Sequence, residues 1–150
     1  MRVMDAVRRN GVSVPADATL AAAAQLMESA GVGSLAVLDG DTLAGIVTDR
    51  DLVRRGLARR ADPQARVDGV MSSPVITIGA DAELRDSFRI FHEHAIRRLA
   101  VLDEAGSFVG ILSIDDLLVD VVADLAELVR PVTAEVLFPH RDAAVPAVAD

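Results

Sequence analysis

Two tetrapeptides hold the residues best suited to chemistry: Thr48-Asp49-Arg50-Asp51 and Ser113-Ile114-Asp115-Asp116. In each, a hydroxyl is followed three places later by a carboxylate. At a strand-to-helix junction this spacing suits a phosphorylated ribose. The helix N-terminus presents amides and the positive end of its dipole to an anion, and a carboxylate one turn in can accept from two vicinal hydroxyls. The same spacing also describes a capping box, in which the hydroxyl accepts from the third helical amide and the acid reaches back to the cap amide. Duplication would copy a cap as faithfully as a binding site, so these residues alone leave both readings open.

The elements that must position these tetrapeptides are themselves duplicated. Gly45-Ile46-Val47-Thr48-Asp49-Arg50-Asp51-Leu52 returns as Gly110-Ile111-Leu112-Ser113-Ile114-Asp115-Asp116-Leu117. Each phrase follows an aliphatic run ending in Leu-Asp, at 34–39 and 98–103. Such self-similarity sets the architecture before any local reading. Val12-Ser13-Val14 matches Ile76-Thr77-Ile78 as a short β-branched strand. Asp17-Ala18-Thr19-Leu20 matches Asp81-Ala82-Glu83-Leu84 as a helix start. One helical face then follows in each copy: Leu20, Ala23, Ala24 and Met27, then Leu84, Ser87, Phe88 and Phe91.

The runs at 34–38 and 98–102 are consecutively apolar, which predicts strands covered on both faces. Asp39-Gly40-Asp41 and the longer Asp103-Glu104-Ala105-Gly106 predict tight hairpins. Each repeat therefore reads β-α-β-β-α, an α/β (α+β) fold. The expected boundaries are 1–57 for the first repeat, 58–66 for a linker, 67–129 for the second repeat and 130–150 for an extension. The last helix is expected from Ile114 to Val129, stopped by Pro131, with a short strand or clasp over Thr133–Phe138 and a loose tail from Pro139. Its apolar arc is broad (Leu117, Leu118, Val121, Val122, Leu125, Leu128, Val129) and predicts a partner surface. The stripe Asp116, Asp120, Asp124 is expected to face water.

Composition narrows the function. About 60 residues per copy is marginal for an independent core, so the repeats are expected to fuse into one unit. A net charge of −8 argues against binding nucleic acid through its phosphates. The clusters Arg54-Arg55 and Arg59-Arg60 are read as solvated faces or linker. Without cysteine there are no disulfides and no thiolate metal sites. His92 and His94, at i and i+2 on a helix, do not share a face, so no metal site is expected. Leu38-Asp39-Gly40-Asp41 is too short for a calcium loop. No nucleophile–base pair is visible, and the chain is not expected to be an enzyme. The N-terminus lacks a leader-like apolar run and no segment is long enough to span a membrane, which predicts a cytoplasmic protein without membrane contact.

The repeated phrases, their Leu-Asp lead-ins, and Val67-Asp68-Gly69-Val70-Met71 with its weaker copy Val3-Met4-Asp5-Ala6-Val7 resemble a tandem pair of CBS domains, the modules named after cystathionine β-synthase. The resemblance covers about residues 3–129. It implies two repeats packed sheet to sheet about a pseudo-twofold axis, with two clefts for an adenosyl ligand such as AMP, ADP, ATP or S-adenosylmethionine. It further implies a regulatory module, a homodimer and an unidentified regulated protein. Carried over by position, Asp51 and Asp116 match the family's ribose-binding carboxylates, and Thr48 and Ser113 its phosphate-side hydroxyls; Asp49, Arg50 and Asp115 complete the candidate set. Arg98, opening a strand, stands where a family arginine meets a ligand phosphate, or else forms a surface salt bridge; which cleft it faces is left open. Gly33-Ser34 holds the matching place in the first repeat, so the clefts are expected to differ. The alternative is a structural or oligomerisation module without a ligand. A minimal hydrolase is a weaker third reading.

Overall fold

The computed structural model describes residues 1–7 and 11–137, with side chains as far as Arg130. A helical turn, α1 (Val3–Ala6), leads to β1 (Ser13–Pro15), α2 (Leu20–Ala30), β2 (Ser34–Asp39) and β3 (Thr42–Thr48). The helix leaving β3 starts as α3 (Asp49–Asp51), widens into a π turn at Leu52–Gly56 and tightens to 3-10 at Leu57–Arg59. The second repeat opens with a 3-10 turn at Val67–Gly69, followed by β4 (Thr77–Gly79), α4 (Leu84–His94), β5 (Arg98–Leu102), β6 (Phe108–Ser113) and α5 (Ile114–Leu137). This is the expected β-α-β-β-α order, twice. The first strands sit one residue later than their β-branched triplets suggest.

Each repeat makes a three-stranded sheet, β1-β2-β3 or β4-β5-β6, with one parallel and one antiparallel pairing. The middle strands are the core. Leu35, Ala36 and Val37, and likewise Leu99, Ala100 and Val101, are wholly inaccessible to solvent. Full burial of a valine or leucine contributes about 1.5–3 kcal/mol. Gly40 adopts φ 61°, which the two-residue hairpin loop favours. In the longer turn the Asp103 carboxylate accepts from the amides of Ala105 and Ser107, stabilising the inserted residue.

The two repeats interlock. The Val67 amide donates to the Ala18 carbonyl at 2.7 Å, and the Val3 amide to that of Ala82 at 2.9 Å. Leu20 N donates to Ala65 O, and Leu84 N to Met1 O, both at 2.9 Å. Every one of these pairs maps onto its mate by a shift of 64 residues. The lead-in of each repeat is thus held by the other repeat, reciprocally, as a pseudo-twofold arrangement requires. Val67 and Val70 accordingly lie in the core with Val14, Leu20, Met27, Leu35 and Val47. A Cβ on Gly11 would run into the Phe108 ring, so the bare backbone there is a condition of this packing. Beside the second lead-in, the Arg66 guanidinium sits 2.6 Å from Asp68 and holds that carboxyl below the usual carboxylate range.

Some expectations are corrected. Ala24 and Phe88 occupy the same place in the two repeats, and both are exposed; Phe88 is 50% accessible. The buried stripes are narrower than their i+4 spacing implied, because three-stranded sheets cover little of each helix. Leu84 is only half-buried, whereas Ser87 is fully buried and donates to the Leu84 carbonyl at 2.6 Å. Pro131 does not stop the last helix, which continues to Leu137 in place of the expected strand or clasp over 133–137. A proline removes one i→i−4 bond and crowds the preceding turn, yet alanine, glutamate and leucine beyond it favour continuation. Phe138 and the tail from Pro139 lie outside the described residues.

The chain divides into two compact units after Ile114. In the second unit, Leu117 is buried while Leu118, Val119, Val121, Val122, Leu125, Leu128 and Val129 are exposed. Asp124 faces water as expected. Asp116 and Asp120 do so only in part, being half-buried.

Candidate functional site

Both hydroxyls stand at the ends of their third strands, where the chain leaves the sheet for a helix. In the first repeat the capping box is fully formed. Asp51 Oδ2 accepts from Thr48 N and Thr48 Oγ1, both at 2.9 Å, and Asp51 N donates back to Thr48 Oγ1 at 3.2 Å. The other two first-turn amides are also engaged: Asp49 N donates to Gly33 O at 3.1 Å, and Arg50 N to Asp49 Oδ1 at 2.7 Å. This helix start satisfies its own donors. It does not offer the open amides that an anion at the N-terminus requires.

β3 carries Thr48 into a cleft of about 260 Å³ inside the first unit, lined by Ile46, Thr48, Ser72, Pro74, Val75, Ile76, Ile96, Arg97 and Arg98. That lies just under the roughly 300–1,000 Å³ of typical small-molecule sites. The cleft forms because the repeats interlock: Ser72 N donates to Ile46 O at 2.8 Å, and Ile46 N to Ser72 O at 3.1 Å. This exchange swings Pro74–Ile76 and the start of β5 opposite Thr48. Aliphatic residues form most of the lining, and Thr48, Ser72, Arg97 and Arg98 are its polar and charged members. Such a lining can hold a flat apolar heterocycle together with an anion. A larger concavity, about 520 Å³, borders Met1, Glu83, Leu84, Arg85, Asp86 and Phe88. Its carboxylates make it a poorer place for a phosphate, and it is remote from the repeated phrases.

The candidate residues are thus distributed unevenly. Thr48 and Arg98 share the cleft, which answers the question of which cleft Arg98 faces. Arg97, which the candidate set omitted, lines it too; its only sequence signal was adjacency to Arg98. Ser113 is the cross-strand partner of Arg98, and directly opposed residues of an antiparallel pair project from one face. Asp51 is not among the lining residues; it stands at the margin, its carboxylate holding Thr48. Asp49 and Arg50 are exposed on α3, with the Asp49 carboxylate beside Gly33. Asp115 is exposed and Asp116 half-buried, at the start of the second unit.

The repeats differ in charge at corresponding positions. Asp49 N donates to Gly33 O, and Ile114 N donates to Arg97 O, at the same 3.1 Å. Identical backbone thus carries glycine and aspartate in one repeat, arginine and isoleucine in the other. One strand further in, Ser34 opposes Thr48 whereas Arg98 opposes Ser113. Among the described residues no group of three histidine, aspartate or glutamate side chains could hold a metal ion, and no helix is long and apolar enough to cross a membrane.

Known proteins share this arrangement. The family model for the CBS domain matches residues 3–58 and again 67–123. The CBS domain-containing protein YhcV of Bacillus subtilis is 33% identical over 118 residues, covering 79% of this chain and 84% of its own. A CBS domain protein of Pyrobaculum aerophilum, solved in complex with AMP, superposes with a TM-score of 0.69 at 29% identity, covering 78% of this chain and 90% of its own. A hexameric CBS-CP12 protein from bloom-forming cyanobacteria superposes with a TM-score of 0.68 at 26% identity, covering 89% of this chain and 87% of its own. With two matched domains, two interlocked β-α-β-β-α repeats and neighbours of the same build, the chain belongs to the CBS-domain family as a tandem pair.

Proposed function

We propose that this protein is a regulatory module that binds an adenine nucleotide in the cleft between its repeats and is not an enzyme. The observation that carries this reading is the joint lining of one cleft by Thr48, Pro74–Ile76 and Arg97–Arg98. In this reading the base lies among Pro74, Val75, Ile76 and Ile96, and the phosphate meets Arg98, whose planar fork suits it. Thr48 lines the same cleft, and on binding its hydroxyl proton, which now goes to Asp51 Oδ2, turns to that anion. Both Thr48 donors fall on Oδ2 of Asp51, so Oδ1 is the oxygen assigned to a ribose hydroxyl. By sequence position alone, Ser113 and Asp116 are assigned the corresponding phosphate and ribose roles of the second repeat, and Asp49, Arg50 and Asp115 accessory ones. The AMP carried by the Pyrobaculum aerophilum protein supports the ligand class.

Binding regulates only if it favours one state over another. The exposed aliphatic face of α5 is the surface through which a homodimer, and then a regulated protein, would read that state; the hexameric CBS-CP12 protein supports assembly within the family. In this reading the repeats span 1–57 and 67–129, the linker lies between them, and the protein works in the cytoplasm.

A thermal-shift panel of AMP, ADP, ATP, NAD and S-adenosylmethionine tests the reading, with a dye readout because the chain lacks tryptophan and tyrosine. A raised melting temperature with at least one adenylate is the expected result. The closed capping box at Thr48–Asp51 favours the competing reading, a structural or oligomerisation module. Native mass spectrometry separates the two: a retained adenylate supports the first, and a bare mass with no shift across the panel supports the second.

A further inference from the structure

The helix that leaves Thr48 is not a plain α-helix. Between Leu52 and Gly56 it opens into a π turn, with the Leu57 amide reaching back to Leu52 O. Such a turn is rare and rotates the remainder of the helix by one extra residue. Arg55 lies in that turn, and its Nη1 donates to two consecutive carbonyls of the second repeat's lead-in, Val70 O at 3.1 Å and Met71 O at 3.0 Å. The next residue, Ser72, is the one whose backbone clasps Ile46 in both directions and lines the cleft. On the far side, Met71 packs where Gly45 has no side chain; a Cβ on Gly45 would meet both Met71 and Ser72 O. The segment Val70–Met71, which leads into the lining residue Ser72, is therefore held between bare backbone at Gly45 and one guanidinium from the helix that begins at Thr48.

We infer that Arg55 is a positioning residue: it straps Val70–Met71 to the Thr48 helix and, through the adjoining Ser72, fixes the width of the cleft. Bonds from an ionised donor to a carbonyl are stronger than neutral ones, and two of them converge on one nitrogen. The strap is also specific to this cleft. The second repeat has Asp120 at the corresponding position, in regular helix, and a carboxylate cannot donate to a carbonyl. This explains part of the expected inequality of the clefts; Arg55 is exposed, as its reading as a solvated residue expects, and it has backbone partners as well. The inference rests on the nucleotide reading only for the ligand half of its test.

The test compares Arg55→Met and Arg55→Lys with the parent. Lysine keeps the charge but ends one atom short of Nη1, so it can restore the bonds only in part, whereas methionine keeps only the aliphatic bulk. Amide hydrogen exchange resolved at Ile46 and Ser72 is expected to quicken about tenfold in Arg55→Met, with β5–β6 amides unchanged, and to return towards the parent rate in Arg55→Lys. AMP affinity, measured by calorimetry, is expected to fall about tenfold in Arg55→Met, equivalent to about 1.4 kcal/mol, and to recover in part in Arg55→Lys. Unchanged exchange at Ile46 and Ser72 in Arg55→Met overturns the strap. Quickened exchange with undiminished AMP affinity overturns its role in binding. The calorimetry uses whichever adenylate of the thermal-shift panel the parent binds if that is not AMP; if the parent binds none of them, the nucleotide reading falls, and the exchange rates alone decide whether Arg55 holds the segment leading into Ser72.

Discussion

Thr48 Oγ1 and Asp51 Oδ2 lie 2.9 Å apart, and the Asp51 amide returns a bond to the same hydroxyl at 3.2 Å. The carboxylate therefore fixes the rotamer of the one hydroxyl that reaches the cleft from the first repeat. Capping and binding are two uses of one geometry, and charge separates them. Asp51→Asn keeps an acceptor for the Thr48 amide, so its melting temperature without nucleotide is expected to stay close to that of the parent. Losing the charge removes charge-assisted hydrogen bonds, each about 1.5–3 kcal/mol, so AMP affinity is expected to fall roughly ten- to hundredfold. Asp51→Ala is expected to lose affinity similarly and about 1 kcal/mol of stability as well. Intact AMP binding in Asp51→Asn would leave capping as the residue's whole role.

The second expectation concerns stoichiometry. Asp49 beside Gly33, against Ile114 beside Arg97, gives the two repeats opposite charge on matching backbone. Calorimetric titration with AMP is expected to resolve one tight site and one weak or silent site. Arg98→Leu should abolish the tight one and leave the fold intact, because Arg98 is only half-buried at a strand end. Two equal, independent sites in the parent would contradict the asymmetry.

A third expectation concerns stability. α2 and α4 end at matching residues in the left-handed conformation: Gly31 at φ 63° and Ala95 at φ 50°. Glycine adopts this region freely, whereas a Cβ there costs about 1–2 kcal/mol. Ala95→Gly should recover most of that, less about 0.4–1 kcal/mol for the freer unfolded chain. The expected outcome is a melting temperature raised by a few degrees at most. Gly31→Ala, where a Cβ meets nothing within 4 Å, should lower it through the backbone alone. A calorimetric scan in which Ala95→Gly melts lower than the parent would contradict the account of strain.

How far the sequence reveals all this depends on whether a feature is local. The repeat, the covered middle strands and the hairpins follow from residue order, because pattern and turn chemistry act within a few residues. The exchange of lead-ins does not: nothing in Val67-Asp68-Gly69 says that its amides will seek Ala18 and Ala16 in the other repeat. The partners of Arg55 and the cleft that Arg98 faces both depend on that exchange. Pro131 misleads for the opposite reason: a strong local signal is outweighed by the helix-forming residues on both sides of it.

The last expectation concerns assembly. Seven aliphatic side chains between Leu118 and Val129 are exposed, Leu128 at 72% and Val122 at 63%. An apolar patch of this continuity on a water-soluble surface marks an interaction site. A second copy of the chain, presenting the same face, can cover it without requiring any charged group to be buried. Leu118 and Val122, four residues apart, lie on one side of the helix, so Leu118→Asp with Val122→Asp puts two carboxylates into the middle of the patch. A dimer of two such copies buries four of these carboxylates; if each costs about 2 kcal/mol on desolvation, self-association weakens roughly 10⁵–10⁶-fold. Light scattering is expected to give twice the chain mass for the parent and the single chain mass for the double variant, with circular dichroism unchanged. A dimer that survives both substitutions would move the interface away from this face of α5.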